Sequence, residues 1–133
     1  MPHRLTLTGT VRSGRREGAG FVALEWVASQ VERNTGFRPY PGTLNLELPA
    51  GPDLDRWRAV RGRKGFELLP EDPAYCSAWC CRARVEDRIP AAVVVPRVPG
   101  YPDDLVEILA PVSLRQTLLL EDGHPCRVVL EDP

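Results

Sequence analysis

The chain has 133 residues, 43% of them hydrophobic and 26% charged, with a formal net charge of −1. That size and balance fit one compact domain over residues 1–133, able to fold without disulfide or metal staples, and they argue against disorder. Fourteen prolines spread along nearly the whole length exclude helical bundles, coiled coils and helical repeats, because proline lacks a backbone donor and clashes inside a helix.

The near-neutral charge offers no electrostatic footprint for nucleic acid. The N-terminus has no apolar signal region and no run approaches membrane-spanning length, so a cytoplasmic monomer without nucleic-acid or membrane partners is expected. Sixteen of the 17 basic residues are arginine, a bias read as genome composition. The single lysine, Lys64, sits in Gly62-Arg63-Lys64-Gly65, so the Gly-Lys-Ser/Thr element of a phosphate-loop nucleotide site is missing. Cys76, Cys80, Cys81 and Cys126 lack paired Cys-x-x-Cys knuckles, and neither His3 nor His124 stands at finger-like spacing, which favours buried free thiols over a zinc site.

In chain order, residues 4–12 alternate as a half-buried strand, with Leu5, Leu7 and Val11 on one face and Thr6, Thr8 and Thr10 on the other. Gly14, Gly18 and Gly20 then mark a turn whose amides can converge on an anion. Residues 21–33 carry Leu24, Val27 and Val31 at helical spacing and end in the cap signal Asn34-Thr35-Gly36. This is the one main helix expected. After the turn at Pro39-Tyr40-Pro41-Gly42, residues 43–48 alternate strictly, Leu44, Leu46 and Leu48 against Thr43, Asn45 and Glu47. Residues 53–60 read as a short surface helix or turn, and 62–73 as loop with a short strand at 66–69. A strand pair, 77–85 and 89–95, is joined at Glu86-Asp87-Arg88. Residues 95–102 form a proline-rich excursion, 106–109 a strand, 112–117 a helical turn and 126–130 the last strand. Many short strands and one helix imply a mainly β fold, a small closed barrel.

Three constellations can carry chemistry. The glycine-rich loop can cradle phosphate oxygens, with Arg15 or Arg16 adding charge, or it is a plain connection. On the next strand Thr43 and Asn45 lie about 7 Å apart along the chain and on one face, where their neutral oxygens suit a hard cation such as Mg2+ once substrate phosphates supply the negative charge. The plainer reading is a polar solvent face. The third set is Glu107, which interrupts an apolar strand and is either a ligand acceptor or simply solvated, with Arg115, which suits phosphate.

Ser13-Gly14-x-x-Glu17-Gly18, Gly36-Phe37-x-Pro39-Tyr40-x-Gly42-Thr43-Leu44-Asn45-Leu46, Val94-Val95-Pro96, Tyr101-Pro102, Val106-Glu107-Ile108-x-Ala110-Pro111, Leu114-Arg115 and Asp122-Gly123 occur in the order and spacing of one family. The chain resembles the archaeal-type CTP-dependent riboflavin kinases, from about residue 7 to residue 130. The resemblance implies a six-stranded cradle-loop barrel that transfers the γ-phosphate of CTP to the 5′-hydroxyl of riboflavin, giving FMN and CDP. It implies that Gly14, Arg15, Arg16, Glu17, Gly18 and Ala19 wrap the nucleotide phosphates. Thr43 and Asn45 would hold Mg2+, and Val112, Ser113, Leu114 and Arg115 would contact the nucleotide. Glu107 lies on the flavin side, either positioning the acceptor hydroxyl or acting as base. The chain departs from the family pattern at three points: Arg16 stands where the loop has its middle glycine, Pro99 where a threonine contacts the flavin, and His124-Pro125 where an aspartate follows Asp122-Gly123. The alternatives are a flavin- or nucleotide-binding regulatory module on the same barrel, or an interaction barrel, for which DNA is disfavoured by the charge balance.

Overall fold

The computed structural model describes residues 4–13 and 21–131. Its elements run β1 (Arg4–Arg12), α1 (Glu25–Thr35), β2 (Leu44–Glu47), α2 (Pro52–Val60), β3 (Phe66–Leu68), β4 (Ala78–Val85), β5 (Ile89–Pro96), β6 (Leu105–Leu109), α3 (Leu114–Leu118) and β7 (Pro125–Glu131). The strand order is β3-β4-β5-β6-β2-β1-β7, and β4 also pairs with β7, so six antiparallel strands close a barrel and β3 is an extra strand beside β4. Closure leaves no free edge within the ring, which is how so short a chain protects its strands. The mainly β class and closed six-stranded barrel expected from the sequence are both present.

Two apolar layers hold the fold. The barrel interior gathers Leu7, Val11, Leu44, Leu46, Leu48, Trp79, Val93, Ile108 and Val128. A second layer lies outside the barrel, where Val27 and Val31 of α1 cover Ala78, Cys80, Val94 and Leu109. Strands β4 and β5 are therefore buried on both faces along part of their length, which explains the unbroken run Ala91-Ala92-Val93-Val94-Val95 in place of alternation. Gly9 lets β1 cross close over β2: a Cβ there would stand 2.9 Å from the Leu46 Cβ.

The helix expected over 21–33 is present with one break: residues 21–23 are helical, the backbone bends at Leu24, and α1 runs from Glu25 to close where the cap signal lies. Gly36 takes φ 86° and its N–H donates to the Glu32 carbonyl at 2.8 Å. The segment at 53–60 is the surface helix expected, with Asp55, Arg56, Arg58 and Ala59 exposed, but its other face is buried. Pro52 opens α2 at a position whose amide has no helical partner to lose, and Leu54 and Trp57 are buried in the barrel interior, with Trp57 6.0 Å from Trp79 between ring centroids. Cys80, Cys81 and Cys126 are buried free thiols as expected; Cys76, in the irregular stretch before β4, is exposed. Among the described residues no helix is long and apolar enough to cross a membrane.

Candidate functional site

Strand β2 divides its side chains between two worlds. Leu44, Leu46 and Leu48 point into the interior, as their alternation requires. Asn45 faces outward, but it is not the solvated residue that a polar face implies. It is 5% exposed, and it is the one buried polar side chain among the described residues. Burying an amide is unfavourable unless it is bonded or used. Its register explains its position: Asn45 lies opposite Arg12 on β1 and opposite Glu107 on β6, at the floor of a cleft of about 530 Å3. The proline-rich excursion, with Val98, Pro99 and Pro102, forms the apolar side of this cleft, and Phe21 and Leu105 complete it.

A second cleft, of about 190 Å3, opens where the chain enters β2 and leaves β6. Tyr40, Gly42 and Thr43 line one side of it, and Ala110 with Val112, Ser113, Leu114 and Arg115 the other. The Tyr40 N–H, donating to the Ala110 carbonyl at 2.7 Å, ties the two sides together. The two clefts meet on β2. Thr43 lines the smaller and Asn45 the larger, and the Thr43 hydroxyl donates to Asn45 Oδ1 at 3.3 Å. Two neutral oxygens at that spacing suit adjacent positions around a hard cation whose ligands stand at ~2.1 Å. Among the described residues no group of three or more His, Cys, Asp or Glu is arranged for a metal.

Glu107 is half-buried in the larger cleft and is not simply solvated. Tyr101 stands beside it. The Tyr101 hydroxyl is shielded from solvent and makes no hydrogen bond of ordinary geometry; burial first, then the Glu107 charge and a weak hydrogen bond to it, push the phenol's pKa up. Arg12 and Glu47 face each other at 4.0 Å on the cleft's other side, an exposed pair worth little to stability.

The segment after β6 is organised by a cap. Ser113 precedes α3 and its hydroxyl accepts from the Gln116 N–H at 3.3 Å. The Arg115 guanidinium is already engaged, donating to Asp122 Oδ1 at 2.7 Å and to the Arg12 carbonyl at 3.1 Å. The Ser13 hydroxyl donates to the other oxygen of Asp122 at 2.6 Å. That bond, together with Arg115, holds the Asp122 carboxyl below the usual range.

The family model CTP-dep_RFKase, described as a domain of unknown function (DUF120), matches residues 11–130. The chain belongs to this family. Similar curated proteins named riboflavin kinase come from Methanospirillum hungatei (36% identical over 126 residues, 90% of this chain and 54% of the relative), Methanococcoides burtonii (33% over 130 residues, 97% and 58%) and Halobacterium salinarum (40% over 138 residues, 98% and 58%). The chain thus spans little more than half the length of these relatives.

Within this CTP-dep_RFKase barrel the residues singled out from the sequence fall into two groups. Thr43 with Val112, Ser113, Leu114 and Arg115 line the smaller cleft; Asn45 with Glu107 and Pro99 line the larger. The loop residues Gly14, Arg15, Arg16, Glu17, Gly18 and Ala19 lie outside the described residues. Sequence reasoning missed Arg12, Phe21 and Tyr101 in the larger cleft, and Asp122 beside the smaller. Arg12 becomes visible only through its register with Asn45, whereas Tyr101 and Asp122 stand within the motifs quoted above and lacked only a role.

Proposed function

We propose that this domain is a CTP-dependent riboflavin kinase, forming FMN and CDP from riboflavin and CTP. The observation that carries this reading is the Thr43–Asn45 oxygen pair, which stands between two clefts of different character. A two-substrate transfer needs such a junction. The family's name supports CTP as donor, and the relatives' names support riboflavin as acceptor.

In this reading the smaller cleft takes the nucleotide along residues 112–115, and the apolar excursion wall of the larger cleft takes the planar flavin. Thr43 and Asn45 would hold Mg2+, which would supply neutralising charge to the donor phosphates. Phosphoryl transfer calls for positioning and electrostatic stabilisation more than covalent work by the protein. Glu107, one strand across from Asn45, accepts the hydrogen bond of the flavin's 5′-hydroxyl. As the new O–P bond forms and the bond from the γ-phosphorus to the β–γ bridging oxygen breaks, Glu107 takes the hydroxyl proton and CDP leaves with the bridging oxygen.

Riboflavin and Mg2+ incubated with CTP or ATP in parallel, with FMN separated and quantified, test the proposal. FMN from CTP is expected; no FMN from either donor defeats it. A second reading, a binding module that has lost transfer, draws on Pro99, which lines the cleft without the hydroxyl that the resemblance implies there. Calorimetry showing CDP and FMN binding without FMN formation would select that reading.

A further inference from the structure

A third cleft, of about 280 Å3, is claimed by neither proposed substrate. Trp79, Val95 and Tyr101 line its apolar side, and Arg61, Gly62 and Arg97 its polar side. It shares Tyr101 and part of the excursion with the larger cleft, but neither Asn45 nor Glu107 reaches it. Among the described residues that line it there is no Asp or Glu, so two guanidinium groups set its charge.

The polar side is the turn Arg61-Gly62-Arg63-Lys64-Gly65, which holds the single lysine and places three cations within four residues of a chain whose net charge is −1. The turn is fastened along its length. The Arg61 N–H donates to the Trp57 carbonyl at 2.9 Å, and the Arg63 N–H to the Val60 carbonyl at 3.1 Å. The Trp79 indole N–H is shared between the Arg63 and Lys64 carbonyls, at 3.0 and 2.8 Å. Gly65 takes φ 64°, and a Cβ there would fall 2.1 Å from the Cys80 carbonyl oxygen, so the turn is pressed onto β4.

Both guanidinium groups have donors to spare. Arg97 gives Nε and Nη2 to one oxygen of Glu67, at 2.8 Å from Nε. Its Nη1 lies toward Gly62, where even a Cβ would remain 4.0 Å away, so that corner stays open. Arg61 is half-buried, and among the described residues its side chain has no hydrogen-bond or ion-pair partner. Its charge offsets part of the rise in the Tyr101 phenol, which places it close to the wall of the cleft. A cation drawn partly out of water with no counter-charge loses hydration without compensation.

We propose that this cleft is a binding site for a tetrahedral dianion of the phosphate class, held between Arg61 and the free edge of Arg97. Two guanidinium groups match a dianion in charge, and their planar N–H donors suit phosphate oxygens. A monocarboxylate would leave one of the two cations uncompensated. The volume equals that of about nine waters at ~30 Å3 each, room for the ion with part of its hydration. Val98, at the rim, is 47% exposed, so a group esterified to the phosphate can extend into solvent. The site stands independently of the kinase reading.

NMR titration of the isotope-labelled 133-residue chain with inorganic phosphate, glycerol phosphate and acetate, at constant ionic strength, tests the proposal. The amide signals of Gly62, Arg97 and Gly100 and the Trp79 indole signal report the cleft; those of Arg33 and Arg88, exposed arginines elsewhere, serve as reference. Saturating shifts at the cleft are expected with the phosphates, and at least about fivefold weaker binding with acetate. Tighter binding of inorganic phosphate identifies the free ion as the ligand, and tighter binding of glycerol phosphate a phosphate monoester. Arg61→Gln and Arg97→Gln should each weaken phosphate binding at least about fivefold, since each removes one charged partner, and the double variant should show no saturation. Thermal melts check that the variants fold; if Arg97→Gln, which also releases Glu67, does not, Arg61→Gln decides. Linear shifts equal to those at Arg33 and Arg88 overturn the proposal, as does saturation confined to residues 112–115. Acetate binding as tight as phosphate, or an unchanged affinity in Arg61→Gln, overturns it too.

Discussion

Along the cross-strand row Val94, Glu107, Asn45, Arg12 the outer face of the barrel changes character within one strand spacing. Val94 on β5 is 1% exposed beneath α1, in an apolar layer with Cys80 and Leu109. Glu107 on β6 and Asn45 on β2 belong to the same face of the same sheet, but α1 does not cover them and they floor the larger cleft. The covered stretch is a second core, and every polar group there would be stranded. The uncovered stretch keeps polar groups half-sheltered, where dielectric screening is reduced and charge interactions are strengthened. The barrel interior supports both equally. What distinguishes a structural from a chemical surface on this fold is whether a helix lies over it.

Four perturbations break or sharpen that contrast, taken from the largest expected effect downward. Val94→Asp puts a charge beneath α1 and should cost about 4 kcal/mol, enough to leave the chain largely unfolded in chemical denaturation. Asn45→Ala, two strands along the same row, should leave the melting point within a few degrees and lower FMN formation at least ~100-fold, read by chromatographic quantification. Should Asn45→Ala retain full turnover, the metal-holding role proposed for β2 fails. Glu107→Gln keeps shape and removes charge. Turnover should drop about tenfold or more, read by the same quantification of FMN.

The smallest effect concerns the buried thiols, Cys126 in the barrel interior and Cys80 beneath α1. Burial, with a lesser contribution from Glu86, pushes the Cys126 thiol up to about 11, and Cys80 is likewise raised by burial first and then by the Glu67 charge. A raised pKa means that the folded thiol keeps its proton where the unfolded one ionises. The Cys126 contribution is therefore intact below about pH 9 and is lost as pH rises toward 11, so denaturation midpoints should decline across that window. At pH 8 a thiol-alkylating reagent followed by mass analysis should label Cys76 alone in the native protein and all four cysteines after unfolding, in keeping with one exposed and three buried thiols. Labelling of Cys80 in the native state would show that α1 does not seal its side of the barrel.

Local pattern made several elements legible. The strict alternation around Leu44, Leu46 and Leu48 identified β2 and its inward face, and Asn34-Thr35-Gly36 placed the end of α1. The charged turn at 86–88 located the hairpin between β4 and β5. The depth of α2 was not legible, because Leu54 and Trp57 alone give too little periodicity in nine residues, and Pro52 looks like a breaker until it is seen as the first residue of a helix. Of the candidate site, Thr43, Asn45, Glu107 and the 112–115 segment were identifiable as residues. Their division between two clefts was not, since nothing in a single strand says that neighbours two positions apart open onto different cavities.

The sequence by itself determined the periods: where the chain extends, where it turns, which face of each strand is apolar, and, by motif order, which family it belongs to. Those depend on interactions among neighbouring residues and on side chains that repeat every second or fourth position. Only the tertiary structure decided that Asn45 is buried and not solvated, that Arg115 is held by Asp122, and that Arg12, Asn45 and Glu107 form one row. Those facts depend on strand register and on closure of β4 onto β7, which join residues scores of positions apart. Such pairings are set by how a whole barrel closes, and no local window of sequence contains both partners.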